Sequence, residues 1–331
     1  MSRVRDEVAL RDWHAVSAAS LAADFVALPV DPIEEFRPIL TGRVGDEDIV
    51  LHLGVVAGTP VVAGLARLPV YDNLTLATVG LQVHPDHRRR GYGRAGLAAM
   101  LDELAATGRR TVLFEIPRAA DGEGRTAGET FAESLGAVRK TSEARRLLDL
   151  AGPFEERYAD LWAEAETAAT GYSTVAWGRH TPEALVPEMA ELRALMSTDP
   201  PQGDLQLEPE RWDAERYRAH EQSLIARRRE QLVVAARHDD SGALVGFTSM
   251  GLPCGGATVG YQWDTVVRAE HRGHRLGLLL KIANLRQLRA LHPEVRFLNT
   301  WNADENSYMV AVNVALGFEL MESWSEWQLD L

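Results

Sequence analysis

Two stretches of the sequence combine arginine, histidine and glycine where a strand-like segment runs into a helical one. These residue types at this spacing fit one chemistry, the binding of phosphate. A helix N-terminus presents unpaired N–H groups and the positive end of the helix dipole, glycine lets the backbone approach an anion closely, and arginine and histidine add charge. The predicted phosphate-binding residues are Arg88, Arg89, Arg90, Gly91, Tyr92 and Gly93 in the first stretch, and Arg272, Gly273, His274, Arg275, Leu276 and Gly277 in the second.

The elements needed to position these two turns occur twice, because Arg88 and Arg272 are separated by 184 residues and the pattern around them repeats. In each half a predicted hairpin, at 49–68 and again at 232–250, precedes the strand, the turn and the helix. We therefore predict an N-terminal domain over 1–150, a helical linker over 151–171 and a C-terminal domain over 172–331. A short strand is expected at 7–11 and a last helix at 302–316.

Composition limits the function. The chain has 331 residues, enough for two domains with substantial cores, and 46% hydrophobic and 25% charged residues are typical of a globular protein. A net charge of -13 argues against nucleic-acid and membrane partners, because an acidic body repels phosphate backbones and anionic lipid. With Cys254 as its single cysteine and no signal-like apolar segment, the chain is expected to be cytoplasmic and free of disulfides.

The motif Arg88-x-x-Gly91-x-Gly93 carries a family resemblance, and Arg272-x-x-Arg275-x-Gly277 repeats it with arginine at the first glycine. The second half also ends with Asn306-x-x-Met309 and, further on, Leu316-Gly-Phe. On these residues nearly the whole chain resembles the GNAT superfamily of N-acetyltransferases, and most closely its tandem two-domain group, which includes mycothiol synthase. The resemblance implies an α/β (α+β) fold of two tandem domains, each a mixed, mostly antiparallel twisted sheet flanked by helices.

The same resemblance implies acetyl-CoA as co-substrate, no metal, and direct attack of a primary amine, predicted to belong to a small molecule, on the thioester. By position, the N–H of Val267 would stabilise the thioester oxygen, with Val83 as its counterpart, and Asp264 would act in acid-base catalysis. Asn306 would contact the cofactor. Many members carry a thiolate-protonating tyrosine where this chain has Asn313, so Tyr308 on the same helix is the other candidate donor.

The second half is predicted to be the catalytic one. Counting back 184 residues from Gln262 and Asp264 gives Thr78 and Gly80, so the first half has no carboxylate at the position of Asp264. The loop 197–204 is expected to shape the acceptor site, and three nearby acids favour a cationic acceptor. Those acids are Asp199, Asp204 and Glu208.

Two alternatives stay open. The first is a sensor that binds acyl-CoA without turnover, since both halves lack the tyrosine. The second is an NAD(P)-binding oxidoreductase, because 91–96 reads as a dinucleotide fingerprint with Glu115 about 20 residues beyond it. Residues 84–90, which separate the fingerprint from its strand, count against that second alternative. Measuring CoA release and NAD(P) binding would separate the three. The oligomeric state is not predicted.

Overall fold

The computed structural model describes residues 1–42, 45–119, 124–199, 201, 203–205 and 207–331. The chain forms two compact units. Unit 1 consists of Met1–Glu143, Gly203–Glu208 and Glu322–Leu331, and unit 2 of Ala144–Gln202 and Pro209–Met321.

Unit 1 is a mostly antiparallel sheet with helices on both faces. Its elements are the strands β1 (Ser2–Arg3), β2 (Glu47–Val56), β3 (Thr59–Pro69), β4 (Leu76–Val83), β5 (Thr111–Ala119) and most of β12 (Glu319–Asp330), and the helices α1 (Glu7–Asp24), α2 (Tyr92–Ala106) and α3 (Ala127–Glu133). The strands neighbour one another in the order β1-β2-β3-β4-β5-β12. The β4·β5 pair is parallel, and the other pairs in this series are antiparallel.

Unit 2 repeats this plan. Its elements are β6 (Val138–Asp149, from Ala144 onward), β7 (Tyr172–Trp177), β8 (Glu230–His238), β9 (Leu244–Leu252), β10 (Val259–Val267) and β11 (Phe297–Ala303), with helices α4 (Phe154–Ala168), α5 (Val186–Leu195), α6 (Ala214–Ala226), α7 (Leu276–Leu291) and α8 (Ser307–Leu316). The strand order is β6-β11-β10-β9-β8-β7. Here β10·β11 is a parallel pair, as β4·β5 is in unit 1.

Each sheet buries both of its faces, because alternate side chains of a strand point to opposite sides. In unit 2, β8 places Leu232 and Val234 in a core with α7, while Val233 packs in a second core with α5. In unit 1, α2 packs in one core and α1 in the other. The helix that follows each basic turn therefore rests on a fully packed sheet, which holds the turn in place.

The last strand of the chain belongs to unit 1. β12 pairs with β5 in antiparallel register from Glu322↔Ala119 to Asp330↔Thr111. Sequence patterns do not indicate this pairing, because they place each element in the half of the chain where it occurs. Conversely β6 joins unit 2 from Ala144 onward, and the N–H of Leu150 donates to the carbonyl of Arg296 at 2.8 Å.

Two local expectations were wrong. Residues 7–11 are helical, because Asp6 caps α1 by accepting from the N–H groups of Val8 and Ala9. The last helix begins at Ser307, so Asn302 of the predicted helix 302–316 lies on β11. Among the described residues, no helix combines the length and hydropathy needed to cross a bilayer.

Candidate functional site

The two basic turns have the same backbone. In unit 2, Gly273 and Arg275 have φ of 89° and 51°, and in unit 1 Arg89 and Gly91 have 63° and 82°. Both turns thus place two residues in the left-handed region, one of them glycine and the other arginine. When left-handed residues alternate with residues of negative φ, successive backbone N–H groups point into one concavity, and such a concavity can bind an anion. The arginine at 275 therefore adopts the conformation for which the family motif uses glycine, and it keeps its N–H.

The first arginine of each turn holds the turn to the preceding strand. Arg88 Nε donates to the carbonyl of Val83 at 3.1 Å, and Arg272 Nε donates to that of Val267 at 3.0 Å. The remaining guanidinium nitrogens meet a carboxylate, Asp24 in unit 1 and Asp199 in unit 2. These arginines position the strand end, while the phosphate-binding role predicted for them stays a prediction.

Each turn follows a strand that separates from its parallel neighbour. The β10·β11 pairing ends at Tyr261↔Asn299, and the β4·β5 pairing ends at Thr78↔Leu113. Beyond these points, the described residues form no parallel ladder with β10 or β4 on that side. Arg268 N–H donates to Val245 in β9 at 2.8 Å, and N–H groups alternate along a strand, so the N–H of Val267 points toward the gap. His84 donates to Val61 at 3.0 Å, which directs Val83 in the same way.

Unit 2 differs from unit 1 by a β-bulge. Between Gln262↔Met250 and Thr265↔Thr248, β10 uses one more residue than β9, whereas the β3·β4 register is regular from Val62↔Val83 to Arg67↔Thr78. The bulge residues Trp263 and Asp264 both lie opposite Ser249. The parallel pairing begins at Leu76 in β4 and at Val259 in β10, and these residues are 183 positions apart in the chain. Equivalent residues of the two turns are 184 positions apart, so the bulge accounts for the extra residue. Thr78 therefore corresponds to Tyr261, and not to Gln262 as the constant spacing had implied.

Sequence reasoning missed the residue that holds the bulge. The buried Gln262 side-chain amide donates to the carbonyls of Ser249 and Trp263, at 2.9 and 3.2 Å, and to Thr248 Oγ1 at 3.0 Å. Thr248 in turn donates to the carbonyl of Asp264 at 3.2 Å. A bulge leaves backbone groups without ladder partners, and these side chains supply them.

Replacing Gln262 by leucine is expected to lower the free energy of unfolding by about 2 kcal/mol, because two buried carbonyls lose their donor. For the acetyl-CoA reaction that the resemblance implies, the substitution is also expected to lower kcat more than it changes the Kd for acetyl-CoA. Gln287→Leu is the matched control, since Gln287 Nε2 donates to the carbonyl of Trp177 at 3.0 Å, away from the bulge. Urea unfolding and steady-state kinetics measure both effects. Equal loss of kcat in the two variants would contradict a specific role for the bulge.

Asp264 projects from the bulge and forms an ion pair with Arg193 of α5, and both side chains are largely buried. Arg193 also lies over the Trp212 ring, 5.1 Å from its centroid. The carboxylate is thus fixed in direction and paired with a cation. Its assignment as the base stays a prediction, and no sequence motif indicates a role for Arg193.

Aromatic side chains line the same face of the sheet. The Trp263 ring covers Gly251, where an added Cβ would lie 1.9 Å from a ring atom, and the Arg229 guanidinium lies 5.7 Å from its centroid. Ser249, also on this face, is fully buried, and its hydroxyl has no hydrogen-bond partner among the described residues. The face beside Asp264 therefore combines aromatic surface with one unused hydroxyl.

The asparagines near α8 have structural contacts. Asn306 caps the helix, accepting from the N–H of Met309 at 3.2 Å, and fully buried Asn313 donates to Asn302 Oδ1 at 2.5 Å. Within the described residues, Asn313 Oδ1 has no hydrogen-bond partner. Tyr308 is 58% exposed on the first turn of α8. The cofactor contact of Asn306 and the proton-donor roles of Tyr308 and Asn313 stay predictions.

Two of the three acids expected to attract a cationic acceptor, Asp199 and Glu208, have partners inside their own units. Asp199 meets Arg272, and Glu208 accepts from the N–H of Asn73 at 3.2 Å. In the loop 197–204, residues 200 and 202 lie outside the described residues. These acids therefore give little support to a cationic acceptor.

Unit 1 contains a carboxylate pair that the sequence pattern did not indicate. Glu326 lies directly across from Glu115 in the β5·β12 register. Burial, together with the charges of Glu115 and Glu143, raises the pKa of Glu326 to about 7. Like charges opposite each other on neighbouring strands destabilise a sheet.

Because the pKa of Glu326 is higher in the folded state than its ordinary 4.5, the protein loses stability as pH rises from 4.5 to about 7, and no more above that. Glu326→Gln is expected to raise the free energy of unfolding by about 2 kcal/mol at pH 8 and to leave it nearly unchanged at pH 4.5. Glu319→Gln, exposed on the same strand, is the control. Urea unfolding at both pH values is the measurement. A gain of the same size at both would contradict the shifted ionisation.

Comparison with known proteins gives a consistent result. The family described as "Acetyltransferase (GNAT) family" matches residues 14–120. A mycothiol acetyltransferase of Streptomyces avermitilis is 34% identical over 150 residues, which is 44% of this chain and 46% of that relative, so the match spans about half the relative's length. The residues matched by the family, 14–120, lie in unit 1, so this match does not include the helices α7 and α8 of unit 2.

Solved structures extend the likeness to the whole chain. A tandem GNAT protein from the clavulanic acid biosynthesis pathway is 29% identical with a TM-score of 0.79, covering 99% of this chain and 97% of that one. A GCN5-related N-acetyltransferase from Sphaerobacter thermophilus shares the fold at 17% identity, with a TM-score of 0.66 over 100% of this chain and 95% of its own.

Proposed function

We propose that the chain is a GNAT N-acetyltransferase of the tandem type that moves acetyl from acetyl-CoA to a primary amine of a small molecule, with the reaction in unit 2. The solved tandem GNAT protein, which matches 99% of this chain, supports the arrangement of two GNAT domains. The mycothiol acetyltransferase supports acetyl transfer, although the match spans about half of that relative's length. The acceptor itself is left open by these likenesses.

The observation that carries the assignment to unit 2 is the bulged strand β10 beside the turn. A bulge re-aims side chains, and here it directs Asp264 to the face opposite the helix that follows the turn. The N–H of Val267 and the carboxylate of Asp264 are three residues apart on this strand. In unit 1, β4 is regular and carries Gly80, so it offers only the corresponding N–H of Val83.

The residues of unit 2 fit the co-substrate at its anionic end. Gly277 has open space within 4 Å of an added Cβ, so the first turn of α7 can accept a bulky anion, and the N–H groups from Gly273 to Gly277 point into the turn. Acetyl-CoA supplies an activated acetyl thioester. The pyrophosphate would be held by the turn amides.

Different groups of unit 2 act on the thioester, the acceptor and the leaving sulfur. Val267 N–H donates to the thioester oxygen, where negative charge develops. Asp264 accepts the proton that the acceptor's ammonium must lose, and Arg193 keeps the carboxylate in position. The new C–N bond forms as the C–S bond breaks, and the sulfur takes up a proton, for which Tyr308 is the donor with a hydroxyl on α8.

A sensor that binds acyl-CoA without turnover is the second candidate. It is favoured by Asn313, which takes the place of the family's tyrosine and is bonded to Asn302. An oxidoreductase of the dinucleotide-binding type fits less well, because β2, β3 and β4 form an antiparallel meander where that fold requires parallel strands.

Release of free CoA thiol from acetyl-CoA, measured with a panel of small primary amines, tests the proposal. Acetyl-CoA at about 100 times its Kd is expected to stabilise the fold by about 2.7 kcal/mol, and NADH is expected to have no effect. Stabilisation without thiol release across the panel would favour the sensor. Absence of any melting shift with acetyl-CoA would overturn both candidates.

A further inference from the structure

Four rings of unit 2 gather beside the turn that precedes α7, and the reaction steps above use none of them. The Tyr172 ring centroid lies 5.3 Å from that of His238, 5.7 Å from His271 and 5.1 Å from His274. Tyr172 and His238 face each other across β7 and β8, while His271 and His274 flank Gly273 in the turn. We name the three histidines, together with Tyr172, the imidazole cluster.

Tyr172 fixes the orientation of His271. Its hydroxyl lies 3.0 Å from His271 Nδ1. When the hydroxyl donates to Nδ1, the ring hydrogen sits on Nε2, and when the ring is protonated Nε2 is a donor as well. In the described part of the chain, Nε2 of His271 and both ring nitrogens of His274 lack hydrogen-bond partners. The cluster thus offers hydrogen-bond donors at the outer side of the turn.

The arginines of the same turn are already engaged. Arg272 donates to the carbonyl of Val267 and meets Asp199, and Arg275 Nη2 lies 2.7 Å from Glu164. A second anionic group arriving beside the turn would therefore meet imidazole donors. Unit 1 has only part of this arrangement: His87 corresponds to His271, Arg90 corresponds to His274, and His84 lies 5.6 Å from His87.

CoA carries two separate phosphate groups, the pyrophosphate and a phosphate on the 3′ position of its ribose. We propose that the imidazole cluster binds the 3′-phosphate of CoA, with His271 and His274 as donors and Tyr172 as the positioning residue for His271. The proposal rests on the proposed function, since it requires CoA at the turn of unit 2. Hydrogen bonds to a charged group contribute more than neutral ones, so one lost donor corresponds to about a tenfold change in Kd.

The test compares binding of CoA and of 3′-dephospho-CoA by calorimetry. Every protein carries Gly93→Glu, so that the turn of unit 1 is blocked. The starting protein is expected to bind CoA about 10- to 100-fold more tightly than 3′-dephospho-CoA. His271→Ala should reduce this ratio about tenfold, by weakening CoA and leaving the Kd for 3′-dephospho-CoA unchanged. Tyr172→Phe should reduce it about threefold, because His271 would lose the hydroxyl that orients it.

His292→Ala is the control, since this imidazole lies at the far end of α7 with Nδ1 3.3 Å from Glu294, and the ratio should be unaffected. Equal affinity for the two ligands in the starting protein, or a ratio that survives His271→Ala, would overturn the proposal. Loss of all CoA binding in the Gly93→Glu background is a different outcome. It would overturn the assignment of CoA to unit 2, and this inference with it.

Discussion

Replacing Lys281 by leucine is expected to raise the free energy of unfolding at pH 7 by about 4 kcal/mol. Lys281 lies on α7 with only 1% of its surface exposed, within the core formed with β8 and β9. It is one of two lysines, with Lys140, in a chain that otherwise uses arginine. Burial lowers the pKa of Lys281 to about 7 from its ordinary 10.5. The position four residues after Gly93 in unit 1 is Leu97, which packs in the core.

The pH dependence identifies the cause. The folded state binds this proton less tightly than the unfolded chain does, so the penalty is absent above pH 10.5, grows as pH falls, and is complete below about 7. The advantage of Lys281→Leu should therefore be several kcal/mol at pH 7 and small at pH 10. Urea unfolding at the two pH values measures it, with Lys140→Leu as the control. An advantage of equal size at both would mean that packing, and not ionisation, is responsible.

Gly277→Glu is expected to lower kcat/KM for acetyl-CoA by at least about 100-fold, while Gly93→Glu leaves the reaction largely intact. A carboxylate placed against a pyrophosphate repels it by a few kcal/mol at the effective dielectric of a protein surface. Gly277 tolerates the side chain, because an added Cβ has open space and the φ of this residue is not left-handed. Loss of activity there would thus reflect the anion site and not misfolding.

The controls are the corresponding alanine variants, which add the Cβ without the charge. At Gly93 that Cβ would lie 3.3 Å from Val83 Cγ2, so Gly93→Ala also reports the steric part of the change. Thermal melting verifies that each variant is folded. If turnover survives Gly277→Glu and disappears in folded Gly93→Glu, the reaction belongs to unit 1.

The sequence alone was sufficient for features that depend on neighbouring residues. The hairpins predicted at 49–68 and 232–250 form as β2–β3 and β8–β9, since turn residues and alternating apolar residues mark them locally. The strand-turn-helix frame of both basic turns was predicted for the same reason. The resemblance carried by the motifs of these units implied a tandem GNAT fold, and the likeness to a solved tandem GNAT protein confirms that fold.

Tertiary structure decided what depends on partners distant in the chain. The exchange of final strands is invisible in sequence, because the residues of β6 and β12 carry no local signal of the strand with which each pairs. The bulge at Asp264 requires knowledge of the β9 register, since a single extra residue has no local signature. Lysine in the apolar segment 276–282 gives no sign of its burial until α7 is packed against β8 and β9. Local sequence sets backbone preference, whereas register, burial and ion pairing are set by the elements that meet each residue in space.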